Sequence, residues 1–161
     1  MIHTMTDRQP TVTKKWPSRP APSSASDQRP ASPAQRILVA DDSETMRTLM
    51  TDLLPAMGYA VITASDGHKA IEEFGRCEPH LVLLDIEMPG LDGCEVCRRI
   101  KSHPETRSTP VVLVSGHPDA SDRAARAGAD GFLPKPFLLD DLREWLRALL
   151  GPATVRAEGT R

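Results

Sequence analysis

The amino-acid sequence predicts an α/β fold, a doubly wound five-stranded parallel sheet carrying five helices on its two faces. Three observations lead there. Four short apolar runs and a weaker fifth are spread along residues 37–133. Segments of helical period separate them, which is the alternation of a repeated βα unit. The runs are continuously apolar instead of alternating, as in strands covered on both faces.

The elements follow in order. Ile37–Ala40 is the first strand, and Met46, Leu49, Met50, Leu53 and Leu54 then recur at three- and four-residue spacing. That spacing gives a helix one apolar face, and Pro55 and Gly58 are expected to end it. Tyr59–Ala64 is the second strand, and Ala70, Ile71 and Phe74 mark a helix between Gly67 and Gly75. Leu81–Leu84 is the third strand; after the turn Pro89-Gly90-Leu91-Asp92-Gly93 come Cys94, Val96, Cys97 and Ile100 with helical spacing. Pro110–Val114 is the fourth strand, followed by a short Ala-rich helix over 120–127. Gly131–Leu133 is the fifth, weaker strand. The last helix, Leu139–Leu150, has the clearest stripe, with Leu139, Leu142, Leu146, Leu149 and Leu150 on one face.

Composition bounds the domain. The chain has 161 residues and a formal net charge of −2. That near-neutral total is a cancellation, because residues 1–36 carry six Lys or Arg against two acids, while residues 37–150 carry twelve against nineteen. Six of the fifteen prolines and nine Ser or Thr also fall in residues 1–36, a segment without helical or strand period. Such a composition buries too little apolar surface to offset the entropy of ordering. The expected organisation is therefore a disordered basic tail over 1–35, one domain over 36–150 and a short polar tail over 151–161, beginning at the helix stop Gly151-Pro152. Trp16 beside Lys14 and Lys15 is an isolated aromatic of the tail, and six scattered cations make a weak footprint for nucleic acid or membrane.

Several classes are excluded. The longest apolar runs have four residues, far below the roughly 20 that span a bilayer. The N-terminus lacks the apolar stretch of a secretory signal, and three cysteines suit neither a disulfide framework nor an oxidising compartment. The expected location is the cytoplasm. Cys94 and Cys97 form a C-x-x-C with no second metal half, and at helical spacing both are expected to fill the core. The five histidines show no ligand spacing, and no Gly-rich nucleotide loop is present.

In a doubly wound sheet the reactive edge lies at the C-terminal ends of the strands, near the point where strand order reverses. Asp41 and Asp42 directly follow the first strand, Asp85 ends the third, Ser115 ends the fourth and Lys135 follows the fifth. Three converging acids repel one another, which favours a raised pKa or a bound hard cation such as Mg²⁺. A single helix cap would use one acid of the pair Asp41-Asp42 and leave the other unexplained. The inventory fits phosphoryl transfer onto a carboxylate. Asp85 would be the nucleophile, Lys135 and the metal would neutralise charge, and the Ser115 hydroxyl would hold a phosphoryl oxygen.

Four stretches carry a family resemblance. They are Ile37-Leu38-Val39-Ala40-Asp41-Asp42-Ser43, Leu81 to Gly93 with Asp85 inside it, Val112-Leu113-Val114-Ser115-Gly116, and Ala127 to Phe137 with Lys135 inside it. Together they resemble the receiver domain of bacterial two-component response regulators, with its flavodoxin-like fold. Thr45-Met46-Arg47 makes the chain most similar to single-domain regulators of the chemotaxis type. The resemblance implies that Asp85 accepts phosphate from a sensor histidine kinase or histidine phosphotransfer protein. It implies Mg²⁺ held by Asp41, Asp42, Asp85 and the backbone carbonyl of Glu87, and a cis Lys135-Pro136 bond. It also implies a switch in which Ser115 and Lys135 move toward the phosphoryl group and Phe132 turns inward, altering the surface of the fourth helix, fifth strand and fifth helix. Phe132 lacks the hydroxyl of a Tyr, and Leu138 stands where relatives often place a helix cap. Glu87 and His117, each two residues beyond a site residue, are expected to set the lifetime of the phosphoryl group.

The same reading makes the protein a phosphoacceptor acting on itself, not an enzyme with a separate substrate. A phosphatase of the haloacid dehalogenase type also uses a strand-end Asp, a Lys and Mg²⁺, and Asp85-Ile86-Glu87 imitates its D-x-D motif. In that family, however, the further acids follow the nucleophile, whereas Asp41 and Asp42 precede it. The eleven residues after Leu150 are too few for a DNA-binding module, so output is expected through contact with an unknown protein partner, or the domain serves as a relay shuttle or phosphate sink.

Overall fold

A computed structural model describes residues 33–152. The expectations for the basic tail up to residue 32, with Trp16, and for residues 153–161 lie outside these. Five strands and five helices alternate: β1 Arg36–Ala40, α1 Glu44–Ala56, β2 Ala60–Ala64, α2 Gly67–Cys77, β3 Leu81–Asp85, α3 Gly93–Ser102, β4 Val111–Ser115, α4 Ala120–Arg126, β5 Gly131–Pro134 and α5 Leu139–Leu150. All strand pairs are parallel, in the order β2-β1-β3-β4-β5. The fold is the predicted doubly wound sheet.

Both faces of the sheet are covered. On one, Leu38, Val82, Leu84 and Leu113 pack with Ala70 and Phe74 of α2, Val96, Cys97 and Ile100 of α3, and the alanines of α4. On the other, Ile37, Val39, Leu83 and Val112 pack with Met50 and Leu54 of α1 and Leu142 and Leu146 of α5. Alternate residues of one strand thus enter two different cores, and this is why the strands read as unbroken apolar runs.

Two details of α1 differ from expectation. Leu49, assigned to the apolar face, is 44% exposed. It sits one position before Met50, about 100° around the helix, so it falls at the margin of the stripe that Met50 and Leu54 centre. Pro55 does not end the helix but stands inside its last turn. Its missing N–H lies on an exposed turn, where the loss of one backbone bond is least costly. The Met57 N–H then closes on the Leu53 and Leu54 carbonyls, and Gly58 turns the chain at φ 93°.

Register places the strand ends. Ala40 is level with Leu84, so Asp41 comes level with Asp85 on the neighbouring strand. Asp85 is level with Val114, which sets Ser115 one step further out, and Ser115 is level with Pro134, which sets Lys135 one step beyond that. The acids stand at the reversal of strand order, where the connection from β1 leaves to one side and that from β3 to the other.

Candidate functional site

Asp41 and Asp85 are only 3% and 4% exposed, whereas Asp42 is exposed. One carboxylate oxygen from each of the three lies within 4.8 Å of the others. Helix capping does not account for them, because Ser43 is the N-cap of α1 and its Oγ accepts from the Met46 N–H at 3.4 Å. Asp41 is oriented by its own loop, with Oδ1 accepting the Ser43 N–H at 2.8 Å, and the Arg47 guanidinium donates to the Asp41 carbonyl at 2.7 Å.

Lys135 joins the two buried acids. Its Nζ donates to Asp41 Oδ2 at 3.0 Å and lies 3.5 Å from Asp85 Oδ1. The Lys135 N–H donates to the Ser115 carbonyl at 2.8 Å, and the Lys135–Pro136 peptide is cis. Burial and the adjacent Asp41 charge push the Asp85 carboxyl up to about 7, against the pull of Lys135. Burial alone would lower the Lys135 ammonium, but the hydrogen bond to Asp41 and the charges of Asp85 and Asp41 outweigh it and raise the pKa. The site therefore holds an excess of negative charge that one ammonium only partly neutralises.

The loop after β3 is pinned closely to the site. The Glu87 N–H donates to Asp85 Oδ1 at 3.2 Å. Gly93, which opens α3, lies so close to the Asp85 carbonyl that a Cβ there would fall upon it. The Ser115 hydroxyl, buried at 1% exposure, donates to the Glu87 carboxylate, with oxygens at 2.7 and 2.8 Å.

Of the residues singled out in the sequence, Asp41, Asp42, Asp85 and Lys135 meet in one cluster, with Ser115 at its edge engaged by Glu87. His117 is exposed; its N–H donates to Ser115 Oγ at 3.0 Å, while its Nδ1 accepts the Asp119 N–H at 3.3 Å, so the ring faces its own loop. Phe132 is half-buried and packs on the core that α2, α3 and α4 share. Cys94 and Cys97 are core residues as expected, and burial pushes the Cys97 thiol up to about 12, far from a reactive thiolate. Two residues given no role by the sequence also reach the site: Arg47, through the Asp41 carbonyl, and Arg123 of α4, which lies 3.8 Å from Glu87 and 3.5 Å from Asp92.

Three hard oxygen donors on neighbouring strand ends fit an octahedral divalent cation that keeps part of its water. Fold and site together define a class, a doubly wound domain with an acidic cluster, a lysine and a hydroxyl at the carboxyl edge of its sheet. Comparison makes this specific: residues 37–147 match the profile of the response regulator receiver domain, and the chain belongs to that family. Its curated relatives include the response regulator MprA of Mycolicibacterium vanbaalenii, 40% identical over 121 residues, a match covering 74% of this chain and 52% of that protein. MprA of Mycobacterium leprae is 41% identical over 117 residues, covering 71% and 50%. The chain thus spans about half the length of the curated relatives it matches. Among solved structures, the Vibrio cholerae chemotaxis protein CheY4 is similar at TM-score 0.67 and 26% identity, covering 72% of this chain and 98% of that one. Thermotoga maritima TrrA, solved in complex with Mg²⁺ and BeF, is similar at TM-score 0.65 and 35% identity, covering 71% and 98%. No helix among the described residues is long and apolar enough to cross a membrane.

Proposed function

We propose that this receiver domain is a switch in two-component signalling, phosphorylated on Asp85 by a sensor histidine kinase or histidine phosphotransfer protein. The observation that carries the reading is the Lys135 ammonium between Asp41 and Asp85, at 3.0 and 3.5 Å, beside a third carboxylate. A carboxylate oxygen of Asp85 forms a bond to phosphorus as the bond from phosphorus to the donor's imidazole nitrogen breaks, and the electron pair returns to the imidazole. Lys135 offsets charge on the transferring group, and the Ser115 hydroxyl, one register step beyond the level of Asp85 on the neighbouring strand, leaves Glu87 and donates to a phosphoryl oxygen. Mg²⁺, held by Asp41, Asp42, Asp85 and the Glu87 carbonyl, would supply further neutralisation of the phosphoryl oxygens.

The chain acts here on itself and not on a separate substrate. The phosphoryl group carries about −1.5 to −2 of charge, in place of the charge of the Asp85 carboxylate that it esterifies. Withdrawal of Ser115 and burial of Phe132 then alter the surface of α4, β5 and α5, which a protein partner reads. Glu87, whose carboxylate accepts the Ser115 hydroxyl, and His117, whose N–H donates to Ser115 Oγ, set the lifetime of the phosphoryl group. The unpaired thiols Cys77, Cys94 and Cys97 suit a reducing cytoplasm.

Incubation with acetyl phosphate and Mg²⁺ tests the reading. One phosphoryl group per chain is expected, absent in Asp85→Asn and acquired about a hundredfold more slowly in Lys135→Ala. Continuous turnover of unrelated phosphoesters without a labelled protein would instead indicate a phosphatase.

A further inference from the structure

Arg123 is the one residue of α4 whose side chain reaches the loop after β3 among the described ion pairs. Its guanidinium lies 3.8 Å from Glu87 Oε1 and 3.5 Å from Asp92 Oδ2. Both partners already serve other bonds. Glu87 Oε1 accepts the Ser115 hydroxyl at 2.7 Å, and Asp92 caps α3 by accepting the Glu95 N–H at 2.8 Å. A chain of contacts therefore runs from α4 through Arg123 and Glu87 to Ser115, at the edge of the acidic cluster. The contact is not a generic surface pair, because its carboxylate is the acceptor of a hydroxyl that is 1% exposed.

We infer that Arg123 is a positioning residue for the acceptor site: acting through Glu87, it holds the Ser115 hydroxyl away from Asp85 in the unphosphorylated protein. The inference rests on the reading of Asp85 as phosphoacceptor. In that reading Ser115 can serve only one anion at a time, the Glu87 carboxylate or a phosphoryl group. Arg123 anchors Glu87 where its carboxylate accepts the Ser115 hydroxyl and so favours the first. The geometry of α4 and the occupancy of the acceptor are thereby coupled in both directions. The side chains of Arg123 and Glu87 are 39% and 47% exposed, so the effect is that of a partly solvated pair.

The test is a calorimetric titration of the full chain with beryllofluoride in Mg²⁺, beryllofluoride standing for the phosphoryl group. Arg123→Ala and the longer Arg123→Gln are each expected to bind it about two- to fivefold more tightly than wild type, and Arg123→Lys to bind as wild type does. In a Glu87→Gln background, where the charge that Arg123 pairs is gone, Arg123→Ala should change nothing. A merely structural role would not depend on residue 87. Equal affinities in wild type and Arg123→Ala, weaker binding by Arg123→Ala, or a gain that persists beside Glu87→Gln would each overturn the inference. Failure of wild type itself to bind, or undiminished binding by Asp85→Asn, would remove the phosphoacceptor reading and this inference with it.

Discussion

Asp85 carries its charge in a place that disfavours it. Burial and the neighbouring Asp41 push its carboxyl up to about 7, against an ordinary value of 3.8. The folded protein then binds more protons than the unfolded chain between those values, so the protonated carboxyl's contribution to stability is full below the ordinary value and lost as pH rises through about 7. In cation-free buffer at about pH 8, Asp85→Asn removes that burden. Its Tm is expected to exceed that of wild type by about 3–8 °C, equivalent to about 1 kcal/mol, and scanning calorimetry reads the difference. A lower Tm in the variant would show that Lys135 compensates Asp85 fully. Stability yielded for function is the usual mark of a reactive site.

Among the elements, α5 begins on the least suitable residue. Leu138 is its N-cap, is 71% exposed and has no side-chain acceptor, so Asp141, which accepts the Leu138 N–H at 3.3 Å, provides only one half of a capping pair. Leu138→Ser supplies the missing acceptor at little loss of buried area. It is expected to stabilise the domain by about 0.5–1 kcal/mol in urea unfolding, with the slope unchanged. The elements differed in how plainly their residues announced them. Ile37–Ala40, Leu81–Leu84 and Val111–Val114 were legible because strands buried on both faces have no other composition. The exposure of Leu49 was not, since a periodic stripe marks the centre of a helix face better than its margin. Nor was the place of Pro55 inside the last turn, because one missing N–H on an exposed turn leaves no trace in the neighbouring residues. Gly131 was read only as a strand residue; the Trp145 ring of α5, 2.7 Å from where its Cβ would stand, explains why that position has none.

At the scale of the whole molecule, the acidic excess of residues 37–150 is concentrated in function at one edge of the sheet. A cation that binds the folded state and not the unfolded chain stabilises it by mass action, and protons compete for Asp85 below about 7. Millimolar Mg²⁺ should therefore raise Tm, and raise it more at about pH 8 than at about pH 6; an equal rise at both would show that Asp85 is not a ligand. Asp41, Asp42, Asp85, Ser115 and Lys135 could be found in the sequence because topology alone brings strand ends together. Arg123 could not, because its reach to Glu87 depends on where a seven-residue helix settles over the loop after β3, and no spacing in α4 encodes that. The same sheet order leaves β5 at one margin. A foreign strand seeking to extend the sheet there would meet four residues, the last of them Pro134 with no N–H to offer. Backbone pairing is thus poorly served at the edge nearest Phe132, which discourages unselective strand addition and leaves recognition of this edge to side chains.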